Sequence, residues 1–311
     1  VFDFLLFGMR FAEAIEADPQ HRLLLKANFM LLQSGHGGTE QTQASVLVGI
    51  TTSEYAKLTI GSQCNDVCVT NVSNVSAGRL PFIFNFSGSS CAIDSACSSS
   101  LVVLCIARDQ ITVQDQGSYV LGVNTILNPA TSISCQRAGM LSSDGRCKTM
   151  DSAADGYGRA EGCTGVYIIK RLQTTSTNLN RSTGELLAGG VNQDARSSSL
   201  LAPNGSSQCQ LIRSCLSKSI FFNEQEQIHR QCEIELHGTG TQLGDPIEVC
   251  TLLNIYFNLP EIFMNFQACK TFHGHSESAS GLHGLAVSTQ HQRFMMSLRS
   301  LNHTIFRELQ N

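Results

Sequence analysis

No Lys/Arg run stands out in these 311 residues, and the formal net charge is only -4. A nucleic-acid or anionic-membrane partner requires a basic patch, so neither is expected. No stretch reaches the ~18 uninterrupted apolar residues of a membrane span. The apolar start, Val1 to Phe7, lacks a basic leader and a small-residue cleavage site, so it does not read as a signal peptide. Paired Cys-x-x-Cys motifs are missing among the 13 cysteines. Cys64 and Cys68 stand four apart with no second pair to complete a zinc site. An odd count in a chain long enough for an ample core predicts reduced, mostly buried thiols in a cytoplasmic protein. An initiator Met is also absent, which predicts that the sequence begins inside a domain.

What is present reads as globular: 42% hydrophobic and 15% charged residues. Short apolar runs at Val46 to Ile50, Tyr119 to Val123, Val166 to Ile169 and Cys232 to Leu236 suit strands covered on both faces. Helical stretches are expected at Glu13 to Leu32, Ser98 to Gln110, Ser206 to Leu216 and Pro246 to Phe257. Their alternation predicts an α/β fold. The polar segment Gln173 to Gly184 marks a joint, giving halves 1–172 and 173–311.

Three clusters carry possible chemistry. In the first, Cys91-Ala92-Ile93-Asp94-Ser95-Ala96-Cys97 runs from a strand through a small-residue turn into an apolar helix. Cys97 is expected in that helix's first turn, where open N–H groups favour a thiolate. It reads equally as a buried cysteine beside a serine-rich cap. In the second, His237 closes a strand, followed by Gly238-Thr239-Gly240-Thr241 and then Asp245-Pro246, read as a helix N-cap and first residue. Glu248 there either serves a site or closes a capping box. The third, Lys270 to Gly281, sets His275 five residues after Lys270 among small residues. A surface lysine beside a solvated histidine would look the same.

In this order the clusters resemble the ketosynthase (beta-ketoacyl synthase) domain of type I polyketide synthases, among the thiolase-like condensing enzymes. Asp94 to Leu101, His237 to Glu248 and Lys270 to Gly281 match the family's motifs. So do Asp18 to Leu25, Met140 to Lys148, Ala153 to Gly162, Val191 to Asp194 and Ala202 to Gly205. The resemblance implies a layered fold of two related βαβ-rich halves acting as one functional unit. It puts the catalytic cysteine at Cys97, the two histidines at His237 and His275, and the lysine at Lys270 paired with Glu248. Thr239 and Thr241 match the threonines that contact the pantetheine arm.

The implied reaction is a decarboxylative Claisen condensation. Acyl-Cys97 is joined to a malonyl-type thioester carried on the phosphopantetheine of an acyl carrier protein, in polyketide or fatty acid synthesis. The resemblance also implies a homodimer within a multidomain synthase, and neither a metal nor a bound cofactor. Two alternatives share the motifs: an impaired ketosynthase-like fragment acting as a binding or dimerisation partner, and a Cys–His hydrolase.

Departures from the family are specific. The expected first strand and helix are absent, as is the glycine-rich C-terminal loop that completes the oxyanion hole, so both ends are expected to be incomplete. Phe272 and His273 replace the usual Asn and aliphatic residue, and Ala195 and Ser199 stand where glycines are usual. Asn258 to Cys269 reads as shortened, and Gln116 to Gly122 lacks part of a double-glycine strand end.

Overall fold

The computed structural model describes all residues except 37–42, 52, 60–69, 112–116, 171–183, 219–230, 257–262 and 295–311. The expected joint therefore lies almost wholly outside the described residues, as does the C-terminal stretch. The chain forms two compact units. The first comprises Val1–Ser134, Ala160–Ser182 and Ser276–His283; the second comprises Cys135–Arg159, Thr183–His275 and Gly284–Asn311.

In the first unit, β1 (Ser45–Ile50), β2 (Ser90–Ile93), β3 (Ser118–Asn124) and β4 (Gly162–Ile168) form one sheet in the order β2-β1-β3-β4. The first three strands of that order run parallel, and β4 is antiparallel to β3. β1 and β3 are buried along their whole length, which explains their uninterrupted apolar sequences. Side chains alternate across the sheet. Val46, Val48, Ile50, Leu121 and Val123 share a core with Leu24 and Leu25 of α2 (Pro19–Leu31) and Leu80 of α4 (Ser73–Phe84). The opposite face meets α5 (Ser99–Gln110).

Single expected elements shift for local reasons. Glu13 to Leu32 is not one helix: α1 (Phe11–Glu16) ends at Ala17, and Asp18 caps α2 through the Gln20 N–H at 2.7 Å, with Pro19 at the first turn. β4 begins four residues earlier than its apolar run, because pairing with β3 continues through Gly162 to Gly165. Helices α3 (Glu54–Thr59) and α6 (Pro129–Arg137) complete this part of the chain.

The second unit holds a parallel pair, β5 (Gln231–Glu235) and β6 (Phe263–Gln267). Around it lie α7 (Gly205–Lys218), α8 (Gly244–Tyr256) and the short α9 (Lys270–His273). Leu236, Val249 and Leu252 form its apolar core, with Ile212 and Phe266 against them. A final helix, α10, runs Ser280–Phe294.

Two glycines decide where α5 starts. A Cβ on Gly49 of β1 would lie 2.6 Å from the Ser100 nitrogen, and one on Gly122 of β3 would lie 2.8 Å from the Ser100 Cβ. The helix start thus rests on bare strand backbone. Gly49→Ala is expected to destabilise the chain by about 1–3 kcal/mol through overpacking, read from the urea midpoint. An unchanged midpoint would mean that α5 does not seat there.

Candidate active site

Cys97 lies one residue before Ser98, the N-cap of α5, and not in the helix's first turn as the sequence predicts. The reason is the turn itself. Ala96 takes a left-handed φ of 54°, a conformation unfavourable for a residue with a Cβ. The hydroxyl of Ser99 supports it, accepting from the Ser95 N–H at 2.9 Å and donating to the Ala96 carbonyl at 2.6 Å. A strained strand–turn–helix step of this kind holds a nucleophile out from the helix end. On the other side, the Ser280 hydroxyl donates to the Cys97 carbonyl at 3.1 Å, and Ser278 donates to the Val123 carbonyl at 2.5 Å. Leu282 N–H reaches the Ser100 hydroxyl at 3.1 Å. Segment 276–283 is thereby stitched to β3 and to the start of α5.

The second unit brings His237, His275, Lys270, Glu248, Thr239 and Thr241 into one compact body. The two imidazoles stand edge to face, ring centroids 5.6 Å apart at 87°. His275 is buried; its backbone N–H donates to the Gly158 carbonyl at 2.7 Å, and the Tyr157 ring packs on it at 5.0 Å. Its Nδ1 is buried without a hydrogen-bond partner among the described residues. The tautomer is therefore open to whatever the ring meets in use.

Glu248 feels the Lys270 charge, which favours its carboxylate, but its direct partners are backbone groups. Its carboxylate accepts the His237 backbone N–H at 2.6 Å and the Gly238 N–H at 3.0 Å, and no ion pair joins it to Lys270 among the described residues. It is likewise not a capping-box residue. Asp245 is no N-cap either, since α8 already begins at Gly244. Its carboxylate accepts from Gly240 N–H at 3.2 Å, Thr241 N–H at 3.4 Å and Met150 N–H at 2.9 Å. Thr241 supplies the capping oxygen, accepting the Gly244 N–H at 3.2 Å. Thr239 is buried beside it.

Three residues outside the predicted set shape this loop. Thr149 Oγ1 donates to the Gly238 carbonyl at 2.6 Å and accepts from the Thr271 hydroxyl at 3.2 Å. Tyr157 fixes the His275 ring. Gly240, at φ 75°, lies so close to Lys148 that a Cβ would stand 2.6 Å from its nitrogen. The glycines of the loop signalled a close approach at Gly240, and Tyr157 lies in the stretch Ala153 to Gly162 that matches the family; nothing in the sequence marked Thr149.

Electrostatics favour neutral imidazoles. Burial, helped by the nearby Lys270 ammonium, lowers His237 to about 4. By surface area His237 is exposed, so solvent weakens the effect of burial and only the downward direction is carried further. Burial first, then the charges of His237 and Lys270, lowers His275 to about 3. Burial raises Glu248 and Asp245, opposed by the N–H groups each accepts. Cys97, His237 and His275 are also the residue types of a three-ligand metal site.

Two family models match: the beta-ketoacyl synthase N-terminal domain over residues 1–175 and the C-terminal domain over residues 183–299. The chain is 37% identical over 309 residues to one of the phenolphthiocerol/phthiocerol polyketide synthase proteins of Mycobacterium tuberculosis, covering 94% of this chain and 14% of that protein. Against the polyketide synthase PksL of Bacillus subtilis it is 32% identical over 292 residues, covering 91% and 6%. The solved ketosynthase from module 6 of the bacillaene synthase of Bacillus subtilis superposes with a TM-score of 0.85 at 30% identity, covering 97% of this chain and 52% of that one. The chain thus spans a small fraction of these curated relatives and about half of the solved ketosynthase.

The two shifted histidines set a pH dependence. An unfolded histidine titrates near ~6.5, above both folded values, so below that pH the unfolded chain binds more protons than the folded one. Stability is then full above pH ~6.5 and is lost as pH falls towards about 3 for buried His275, with exposed His237 adding a smaller effect of the same sign. His21, buried with both ring nitrogens unpaired among the described residues and lowered to about 3, adds the same sign. Urea midpoints measured from pH 7.5 to 4.5 are expected to drop. In His275→Gln the slope should shrink by up to about 1.4 kcal/mol per pH unit. A flat wild-type profile, or an unchanged slope in the variant, would contradict this assignment.

Proposed function

Because this chain belongs to the beta-ketoacyl synthase family, with the thiolase-like α/β fold of its ketosynthases, we propose that Cys97, His237 and His275 together carry a decarboxylative condensation. The observation that carries the reading is the Ser280 hydroxyl on the Cys97 carbonyl. Ser280 lies five residues beyond His275, so the chain itself ties the nucleophile's turn to the segment that bears one histidine. The other histidine faces that one at 5.6 Å.

The steps balance without a metal. The Cys97 thiolate attacks the carbonyl of an acyl thioester; the carbon–sulfur bond to the pantetheine arm breaks, and its sulfur leaves as a thiolate that takes a proton from water. A malonyl thioester then loses carbon dioxide, and the freed electron pair moves onto its carbonyl as an enolate. Neutral His237 and His275 each donate an N–H to that oxygen, stabilising the charge as it forms. The enolate carbon attacks acyl-Cys97 and expels the thiolate, giving a β-ketoacyl thioester. Lys270 adds positive potential that keeps both imidazoles neutral. Glu248 is a positioning residue acting through the His237 backbone.

The substrates are carried on the phosphopantetheine of an acyl carrier protein, with Thr239 and Thr241 beside the arm. Halves 1–172 and 173–311 act as one unit of a multidomain synthase in the cytoplasm. The cysteine pattern supports a reducing compartment. A homodimer fits β2, which is an edge strand of the sheet among the described residues.

A radiolabelled acyl thioester is expected to label Cys97 covalently, with label lost in Cys97→Ala. His237→Ala and His275→Ala should keep the label but lower turnover of a malonyl thioester by about 10²–10³. Equal labelling of Cys97→Ala would remove the nucleophile from the proposal.

A further inference from the structure

The condensation needs two imidazole N–H groups aimed at one oxygen, and one short segment outside the motif residues reaches both histidine loops. It is Cys147-Lys148-Thr149 of the second unit, in which Cys147 and Thr149 are buried. Cys147 serves the His275 side. The Gly158 N–H donates to its sulfur at 3.4 Å, and its thiol donates to the Gly158 carbonyl at 3.8 Å. That same carbonyl accepts the His275 backbone N–H at 2.7 Å.

Thr149 serves the His237 side, and its hydroxyl is the middle of a chain. Thr271, the neighbour of Lys270, donates to it at 3.2 Å, and it donates at 2.6 Å to the carbonyl of Gly238, the neighbour of His237. The contact is apolar as well, since a Cβ on Gly238 would stand 2.7 Å from the Thr149 methyl. One side chain thus gives the His237 loop both a hydrogen bond and a packing stop. Between the two, Lys148 locks the segment to its own loop, at 2.7 Å from Asp155 and 3.3 Å from Asp144.

We infer that Thr149 is a positioning residue for the decarboxylation step, setting where the His237 loop stands relative to His275. Alternate residues of one segment hold the two loops, so the 5.6 Å spacing of the rings is a property of that segment. Donors that must converge on a developing oxyanion tolerate little displacement, and about 1 Å can cost on the order of 10²-fold in rate. Acylation of Cys97 forms no enolate and does not draw on the imidazole pair. This role rests on the condensation reading and adds to it a defect confined to one step, which a general loosening of the fold would not give.

Thr149→Val keeps the methyl and removes the hydroxyl, whereas Thr149→Ser keeps the hydroxyl. Carbon dioxide release from a malonyl pantetheine thioester is measured on the 311-residue chain, beside labelling of Cys97 by a radiolabelled acyl thioester. In Thr149→Val the kcat for release is expected to fall at least about tenfold, with KM and the labelling rate each within about twofold of wild type. Thr149→Ser should recover kcat to within about threefold. Amide hydrogen exchange across residues 238–241, which needs no turnover, should quicken in Thr149→Val and not in Thr149→Ser. An active wild type with equal release in Thr149→Val, an equal loss in both steps, or unchanged exchange would overturn this role alone. A wild type that takes up acyl label and releases no carbon dioxide would overturn the condensation reading, and this role with it.

Discussion

The backbone of Ser99 and Ser100 lies against β1 and β3 at a distance that only glycine permits, since a Cβ at Gly49 would come within 2.6 Å of the Ser100 nitrogen. Everything about the nucleophile's half of the site follows from that seat. With the helix start pinned to the sheet, the chain leaving β2 must turn sharply to reach it. The turn forces Ala96 into a left-handed conformation. Strain of this kind costs about 1–3 kcal/mol and persists only where the surroundings over-determine it. Here the serine hydroxyls do so: Ser99 holds the turn, Ser100 receives Leu282, and Ser280 holds Cys97 from its carbonyl side.

The second unit solves a different problem, which is how to hold a histidine at a strand end beside a buried cation. Its two acids, buried Asp245 and half-buried Glu248, spend their oxygens on backbone N–H groups: Glu248 on His237 and Gly238, Asp245 on Gly240, Thr241 and Met150. A carboxylate that accepts two or three such bonds is satisfied without a partner charge. The Lys270 charge acts on the imidazoles as well as on both acids. Neutral rings that donate N–H groups are what a developing enolate requires, so the acids contribute indirectly, by fixing the loop.

Strands β1 and β3 were legible because burial on both faces writes itself as an unbroken apolar run. The motif residues were legible through resemblance, and the structure gathers six of them in one unit. Less readable were features set by long-range partners. Thr149 reaches Gly238 across 89 positions, and no local pattern announces it. For Glu248 the spacing allowed a capping box, but its oxygens turn to the preceding loop. The start of β4 was missed because Gly162 and Gly165 carry no strand propensity of their own; pairing with β3 supplies it. Ala195, where the family has glycine, holds φ at 52°, so that departure from the pattern is a cost the loop bears rather than a change of path.

The central claim, that the thiol of Cys97 and the imidazoles of His237 and His275 serve one carbon–carbon bond, is tested most directly by the mass of the carrier-bound product. Acyl-loaded chain mixed with malonyl carrier protein should convert the malonyl carrier to a species whose mass has gained the acyl group and lost one carbon dioxide and one hydrogen. Free carboxylic acid in solution, with the malonyl carrier unchanged, would instead identify a hydrolase and contradict the account.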